Sequence, residues 1–393
     1  MPQSQTQAQL SNPPLSLYIH IPWCVRKCPY CDFNSHALKG EIPFSRYIEA
    51  LLKDLEADLP QVWGRQVHSI FIGGGTPSLF PAAAIAELIS GVRARISVSP
   101  AAEITMEANP GTLEHDSFTA YLEAGINRFS LGAQSFSDRQ LKTLGRIHAS
   151  DEILQAVAGL KSAGAENFNL DLMFGLPGQT QSQALADLQA AIDCSPSHIS
   201  HYQLTMEPNT LFAHKPPPGL PDNDQLADIQ DSCAVLLQSA GFVQYEVSAW
   251  ARTARQGDNR SQHNLNYWRF GDYLGVGAGA HAKITLAAEG RVVRMAKHRH
   301  PDAYLEDRDG TFICEQRQLE NKDLVFEFFL NQLRLKAGVR KADFPARTGL
   351  PWQQVAGQVK QAMEEGLLTD QGEYLSTSNR GWQHLNTLQA IFL

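Results

Sequence analysis

From Leu15 onward, short apolar runs alternate with longer stretches whose apolar residues recur every three or four positions. Residues 17–21, 67–72, 103–108, 128–133, 167–174 and 198–205 predict six strands. Between and after them, helical spacing predicts helices over 44–59, 82–95, 114–124, 151–163, 181–194 and 225–241; in the first, Tyr47, Ile48, Leu51, Leu52, Leu55 and Leu59 share one face. Six βα units in succession imply an α/β fold with a parallel sheet curled into a partial (β/α)6 barrel over residues 15–241. Reactive groups in such barrels stand on the loops that follow the strands.

The pattern then changes. His214-Lys215-Pro216-Pro217-Pro218-Gly219 cannot be helix or central strand and reads as a rigid connector or lid. Residues 242–320 form an extension of the barrel, with a strand over 245–250, a polar loop over 255–268 that ends in His263-Asn264-Leu265-Asn266-Tyr267-Trp268, and a glycine-rich strand over 274–281 against the barrel edge. From residue 321 the composition shifts to helices over 324–335, 342–348 and 352–365, a hairpin of 367–369 with 374–376, and a last helix over 381–391. Helices followed by a two-stranded wing resemble a winged-helix module, here 321–393.

Composition narrows the function classes. A net charge of −8 and the absence of any Lys/Arg block argue against nucleic acid as a partner. Residues 1–14 are Gln-, Ser- and Pro-rich without the features of a signal peptide, and read as a disordered tail. No apolar run is long enough to span a membrane. Six cysteines, three of them clustered, fit a reducing cytoplasm, and Cys194, Cys233 and Cys314 read as small hydrophobes.

The clustered cysteines carry the chemistry. Cys24, Cys28 and Cys31 follow the first strand at C-x₃-C-x₂-C spacing, which suits three corners of a [4Fe–4S] cube and leaves one iron open. A structural zinc site is the alternative, with His20 or His36 near enough in sequence to supply a fourth ligand. The βα rule gathers further polar residues onto the same rim: Gly73-Gly74-Gly75-Thr76-Pro77 after the second strand, Glu107 after the third, Gln134 and then Arg146 after the fourth, and Asp171 in the fifth. Glycines let backbone groups approach a ligand, Glu107 and Asp171 can accept from hydroxyls or an ammonium, and Arg146 can grip a carboxylate. Each also has a bland reading: a tight turn, a helix cap or surface carboxylate, a surface ion pair.

The cysteine spacing resembles the radical SAM superfamily, in which S-adenosylmethionine chelates the open iron and the reduced cluster cleaves it to a 5′-deoxyadenosyl radical. More narrowly, Tyr18-x-His20-Ile21-Pro22, residues 73–77, Glu107-x-Asn109-Pro110-Gly111, Gly132-x-Gln134-Ser135, Gly145-Arg146 with His148, and Asp171-Leu172-x-x-Gly175-Leu176-Pro177 are similar to the oxygen-independent coproporphyrinogen III oxidase group. Carried over by position, the resemblance implies adenosylmethionine contacts at Tyr18, Tyr30, Gly74, Gly75, Thr76, Glu107, Gln134, Arg146 and Asp171. Phe33 stands where the decarboxylating oxidase has a fourth cysteine, and His263-Asn264-x-x-Tyr267-Trp268 matches the heme-chaperone branch of the group. That branch implies heme, an iron–sulfur cluster and adenosylmethionine as ligands, a homodimer, and delivery of heme to respiratory proteins at the membrane; a catalytic coproporphyrinogen oxidase is the alternative. On local chemistry alone His263, Tyr267 and Trp268 read either as a heme site or as a hydrogen-bonded loop histidine beside two core aromatics.

Overall fold

The structure is a computed structural model that describes residues 9–112, 116–254, 257–307 and 310–393. Strands β1 (Leu15–Ile21), β2 (Val67–Gly74), β3 (Val98–Ala108), β4 (Arg128–Gln134), β5 (Phe168–Phe174) and β6 (His198–Gln203) lie side by side in chain order, each parallel to the next. An order that never reverses curls one way into a barrel, as expected from the six βα units.

The extension builds both ends of this sheet. At one end, β7 (Phe242–Gln244) and β8 (Ala249–Arg252) form a hairpin, and β8 lies antiparallel to β6. At the other, β9 (Asp272–Val276) pairs parallel to β1 and is followed by antiparallel β10 (His281–Leu286), β11 (Arg291–Lys297) and β12 (Ile313–Gln318). Twelve strands result, with β12 and β7 at the two ends, so the barrel is partial.

Alternation within the parallel strands sorts their side chains. Leu17, Ile19 and Ile21, with Ile104 and Met106, Phe129 and Leu131, Leu170 and Leu172, join the apolar core beneath the helices. The intervening residues point into the lumen, and most are polar: Tyr18, Glu107, Arg128, Ser130, Asn169, Asp171 and Ser200 line its cavities. Parallel strands usually read as continuous apolar runs because both faces are dry. Here one face is kept polar.

Several expectations need correction. Residues 245–248 make the turn between β7 and β8, and residues 262–268 form a helix, Gln262–Trp268, rather than a loop. The last helix is two, Asn379–Gln383 and Leu385–Ala390, broken at His384. The third predicted helix spans Phe118–Glu123, capped by the Ser117 side chain, and residues 114 and 115 lie outside the described residues. Helix Asp138–Thr143 and strands β11 and β12 were not anticipated.

The C-terminal unit has its own core, in which Phe328, Phe329, Phe344 and Phe392 pack together. Its wing is a three-stranded sheet in which β15 (Tyr374–Thr377) lies between β13 (Val339–Arg340) and β14 (Leu368–Gln371). Leu10 inserts into this core and Ser11 N–H donates to Ala346 O at 2.9 Å, so residues 9–14 are packed chain and not a loose tail. Residues 1–8 lie outside the described residues.

Candidate cofactor site

Cys24, Cys28 and Cys31 face one cavity of about 400 Å³ at the C-terminal ends of the strands. Tyr30, Gly74, Gly75, Thr76, Glu107, Gln134, Arg146 and Asp171 line the same cavity. Tyr18 lies deeper, in a chamber of about 220 Å³ that shares Phe33, Gly74, Glu107, Ser130, Asp171 and Tyr202 with the upper one. Every residue expected to contact adenosylmethionine therefore lines one or the other of two adjoining cavities.

The cysteine loop is clamped from two sides. Gly75 N–H donates to Ile21 O at 2.7 Å and Thr76 N–H to Trp23 O at 2.8 Å, while a Cβ on Gly75 would sit 2.4 Å from that Trp23 oxygen. Gly74, at φ +112°, presses against the His20 ring and gives its own N–H to Glu107 Oε2 at 3.0 Å. These three N–H groups are thus committed within the protein. The backbone of the glycine turn is left with carbonyl oxygens to offer a ligand, which suits an ammonium and not a carboxylate.

From the extension, Asn34 Nδ2 donates to Ala278 O and Arg299 O at 2.9 and 2.8 Å, and Tyr47 links His20 O to Ala278 N–H. Below them, Lys297 bridges Asp54 and Asp58 at 2.6 and 2.9 Å in a buried ion cluster that also takes in Tyr304 and Gly277 N–H. The links made by Asn34, Tyr47 and Lys297 span 27 to 265 residues of chain, farther than any local pattern reaches.

Do the residues fit a cluster? Among the described residues no three His, Cys, Asp or Glu are grouped as ligands of a single metal ion. A tetrahedral zinc ion needs just such a group, and His20 is spent, its Nε2 donating to Asn34 O at 2.8 Å and its Nδ1 accepting from the Tyr18 hydroxyl at 2.9 Å. An iron–sulfur cube instead takes each thiolate on a different iron, so thiols spread around a cavity fit it. Arg146 adds a cation at this point: its Nη1 lies 3.7 Å from Cys28 Sγ, and its Nη2 donates to Gly132 O at 2.9 Å. Burial pushes the Cys24 and Cys31 thiols up, against the hydroxyls of Thr76 and Ser35, so metal binding must displace their protons.

Two carboxyls face each other below. Burial, and then the charge of Asp171, raise Glu107 to about 7 despite the Gly74 N–H. Asp171 is raised by burial and steadied by Ser130 Oγ at 2.9 Å and Asn169 Nδ2 at 2.8 Å. Neither acid makes a direct ion pair, although the Arg128 charge reaches Asp171 from below, and the two together suit a positively charged ligand.

The three residues matched to heme separate in space. His263 and Tyr267, four apart on helix Gln262–Trp268, turn into the deep chamber, while Trp268 turns away to pack with Tyr245, Leu265 and Leu335 beneath the Arg334 guanidinium. Both His263 nitrogens are engaged, Nδ1 with Ser69 Oγ at 3.2 Å and Nε2 with Tyr267 OH at 3.0 Å. Burial, with Arg128 nearby, lowers its pKa to about 3, so the ring is a neutral imidazole.

Fold and site together define a radical SAM protein. The radical SAM superfamily pattern matches residues 18–191 and the HemN C-terminal domain pattern residues 319–384. A solved structure of coproporphyrinogen III oxidase (HemN) from Escherichia coli superposes with a TM-score of 0.80 over 99% of this chain and 92% of that one, at 22% identity. Within the superfamily, the chain is 51% identical to heme chaperone HemW of Escherichia coli K12 and 49% identical to that of Haemophilus influenzae, in each case over 97% of this chain and 98% of the relative. Heme chaperone HemW of Mycobacterium tuberculosis H37Rv is 33% identical over 95% of this chain and 93% of its own. The chain belongs to the HemW family.

Proposed function

We propose that this protein is a heme chaperone that binds heme, a [4Fe–4S] cluster and S-adenosylmethionine, and hands heme to respiratory acceptor proteins. The observation that carries this reading is the pairing of a three-cysteine cavity with Phe33, 60% exposed at the mouth, where the decarboxylating oxidase has a further cysteine. Cys24, Cys28 and Cys31 would hold the cluster, which supplies an open iron for the cofactor.

The protein's own groups do the rest. The carbonyls of the glycine turn receive the methionine ammonium, Arg146 takes its carboxylate, Glu107 and Asp171 balance positive charge, and Tyr30 and Gln134 border the adenosyl part. His263 is the candidate heme ligand, as a neutral imidazole that must first let go of Tyr267. Trp268, on the far side of the helix, serves packing. No helix among the described residues is long and apolar enough to cross a membrane, which supports a cytoplasmic protein that meets its acceptor peripherally, and a homodimer belongs to the same reading.

Anaerobic reconstitution followed by parallel heme titration and coproporphyrinogen III turnover tests it. Stoichiometric heme binding without vinyl formation is expected; rapid, stoichiometric decarboxylation would replace the chaperone with an oxidase.

A further inference from the structure

The floor of the lumen holds a buried cation that is incompletely paired. Arg128, at the start of β4, is 2% exposed, and its Nε has no hydrogen-bond partner among the described residues. The nearest carboxylate, Glu103 Oε2, stands 3.8 Å away, a long ion pair without a hydrogen bond, and is shared with two backbone donors. Its two oxygens accept the N–H groups of Gln262 and His263, each at 3.1 Å, and so cap the helix that closes the chamber. Asp171, the other acid within reach, has its oxygens taken by Ser130 and Asn169.

Burying a guanidinium on one long ion pair, with its Nε making no hydrogen bond, leaves much of its desolvation uncompensated, and a purely structural position would be filled at less cost by an apolar side chain. The guanidinium borders the chamber of about 220 Å³ that adjoins the cofactor cavity through shared walls. It also faces His198 and His263, both held neutral by burial and then by its own charge, so neither supplies an anion. Above it stand Glu107 and Asp171. A ligand in this space is therefore read with its positive part high and its acidic part low.

We propose that Arg128 anchors a carboxylate of the ligand seated in the lumen, forming a forked ion pair at the chamber floor. This deepens the function proposed above and rests on it. Two of the ligands proposed there carry carboxylates: heme, on its propionate arms, and adenosylmethionine, whose amino-acid end is given above to Arg146 and would have to move to reach Arg128. Arginine suits the role because its planar donor fork matches a carboxylate, which the point charge of lysine does not.

The test uses full-length, anaerobically reconstituted protein and the variants Arg128→Met and Arg128→Lys. Heme and heme dimethyl ester are titrated by Soret absorbance, and adenosylmethionine by calorimetry. In Arg128→Met, heme affinity is expected to fall at least about tenfold, as suits the loss of a charge-assisted pair, while the dimethyl ester binds wild type and variant alike. A loss confined to adenosylmethionine assigns the carboxylate to the methionine. Equal loss for heme and ester, or no loss for either carboxylate ligand, overturns the proposal. If the methionine variant does not fold, Arg128→Lys keeps the charge and is expected to show the same selectivity at smaller amplitude. Failure of wild type to bind heme would sink the chaperone reading yet leave the adenosylmethionine arm to decide the role of Arg128.

Discussion

In the C-terminal unit, Phe329 and Phe392 stack at 3.8 Å between ring centres and Phe328 and Phe344 meet edge to face; in the barrel lumen, Arg128, Glu107, Asp171 and His263 line a polar cavity. Aromatic packing returns free energy wherever it is made, because removal from water is favourable without any partner. Polar burial returns little until a ligand completes it. One region is thus built for cohesion and the other for occupancy, and substitutions in the two should fail in different ways.

The largest expected effect lies at the mouth. Serine in place of Cys24, Cys28 or Cys31 should abolish the ~400 nm cluster absorbance after anaerobic reconstitution, because thiolates are the ligands an iron–sulfur cube needs. The C-terminal unit should unfold as before in the same samples; a cluster that survives would break the contrast at its strongest point.

Phe329→Ala should act the other way round. Emptying the centre of the aromatic core is expected to cost about 3–5 kcal/mol in denaturant unfolding and to leave adenosylmethionine affinity unchanged. His263→Ala should weaken heme retention with the cluster spectrum intact, and an unchanged heme titration would remove this residue from the site.

A pH series separates the regions by sign. Glu107 titrates near 7 in the folded protein against an ordinary value of 4.5. Between those values the folded state holds a proton that the unfolded state has lost, so stability should fall as pH rises through this window. Because the carboxyl opens onto a wet cavity, the drop is about 1–2 kcal/mol, and Glu107→Gln should flatten it in unfolding curves. The same ionisation should tighten adenosylmethionine binding toward higher pH. The smallest effect is expected for Trp268→Phe: about 1 kcal/mol of stability from the altered stack under Arg334, and a heme titration that does not move.

Local spacing made the cysteines legible, and the rule that loops follow strands placed Glu107, Gln134, Arg146 and Asp171 on the rim before any coordinates. Other features depend on distance. The Gln262–Trp268 helix is seven residues long and receives a carboxylate 159 residues upstream, so beyond the Ser261 cap little in its own neighbourhood announces it. Strand β12 has no buried residue, hence no alternation to find. The polar lumen was in view all along. Glu103-Ile104-Thr105-Met106-Glu107 and Arg128-Phe129-Ser130-Leu131 alternate openly, a pattern that in a parallel strand marks an interior kept for something other than packing.

The placement of β1 carries one more consequence. The strand that leads into the cysteines pairs on one side with β2 and on the other with β9, whose register joins Leu17 to Leu274. During synthesis the sulfur-bearing loop leaves the ribosome early, but its strand remains an open edge until residues beyond 276 have followed. The cradle around the cysteines is therefore complete only once the extension has been made, and nascent chains stalled before that point should present the three thiols without it.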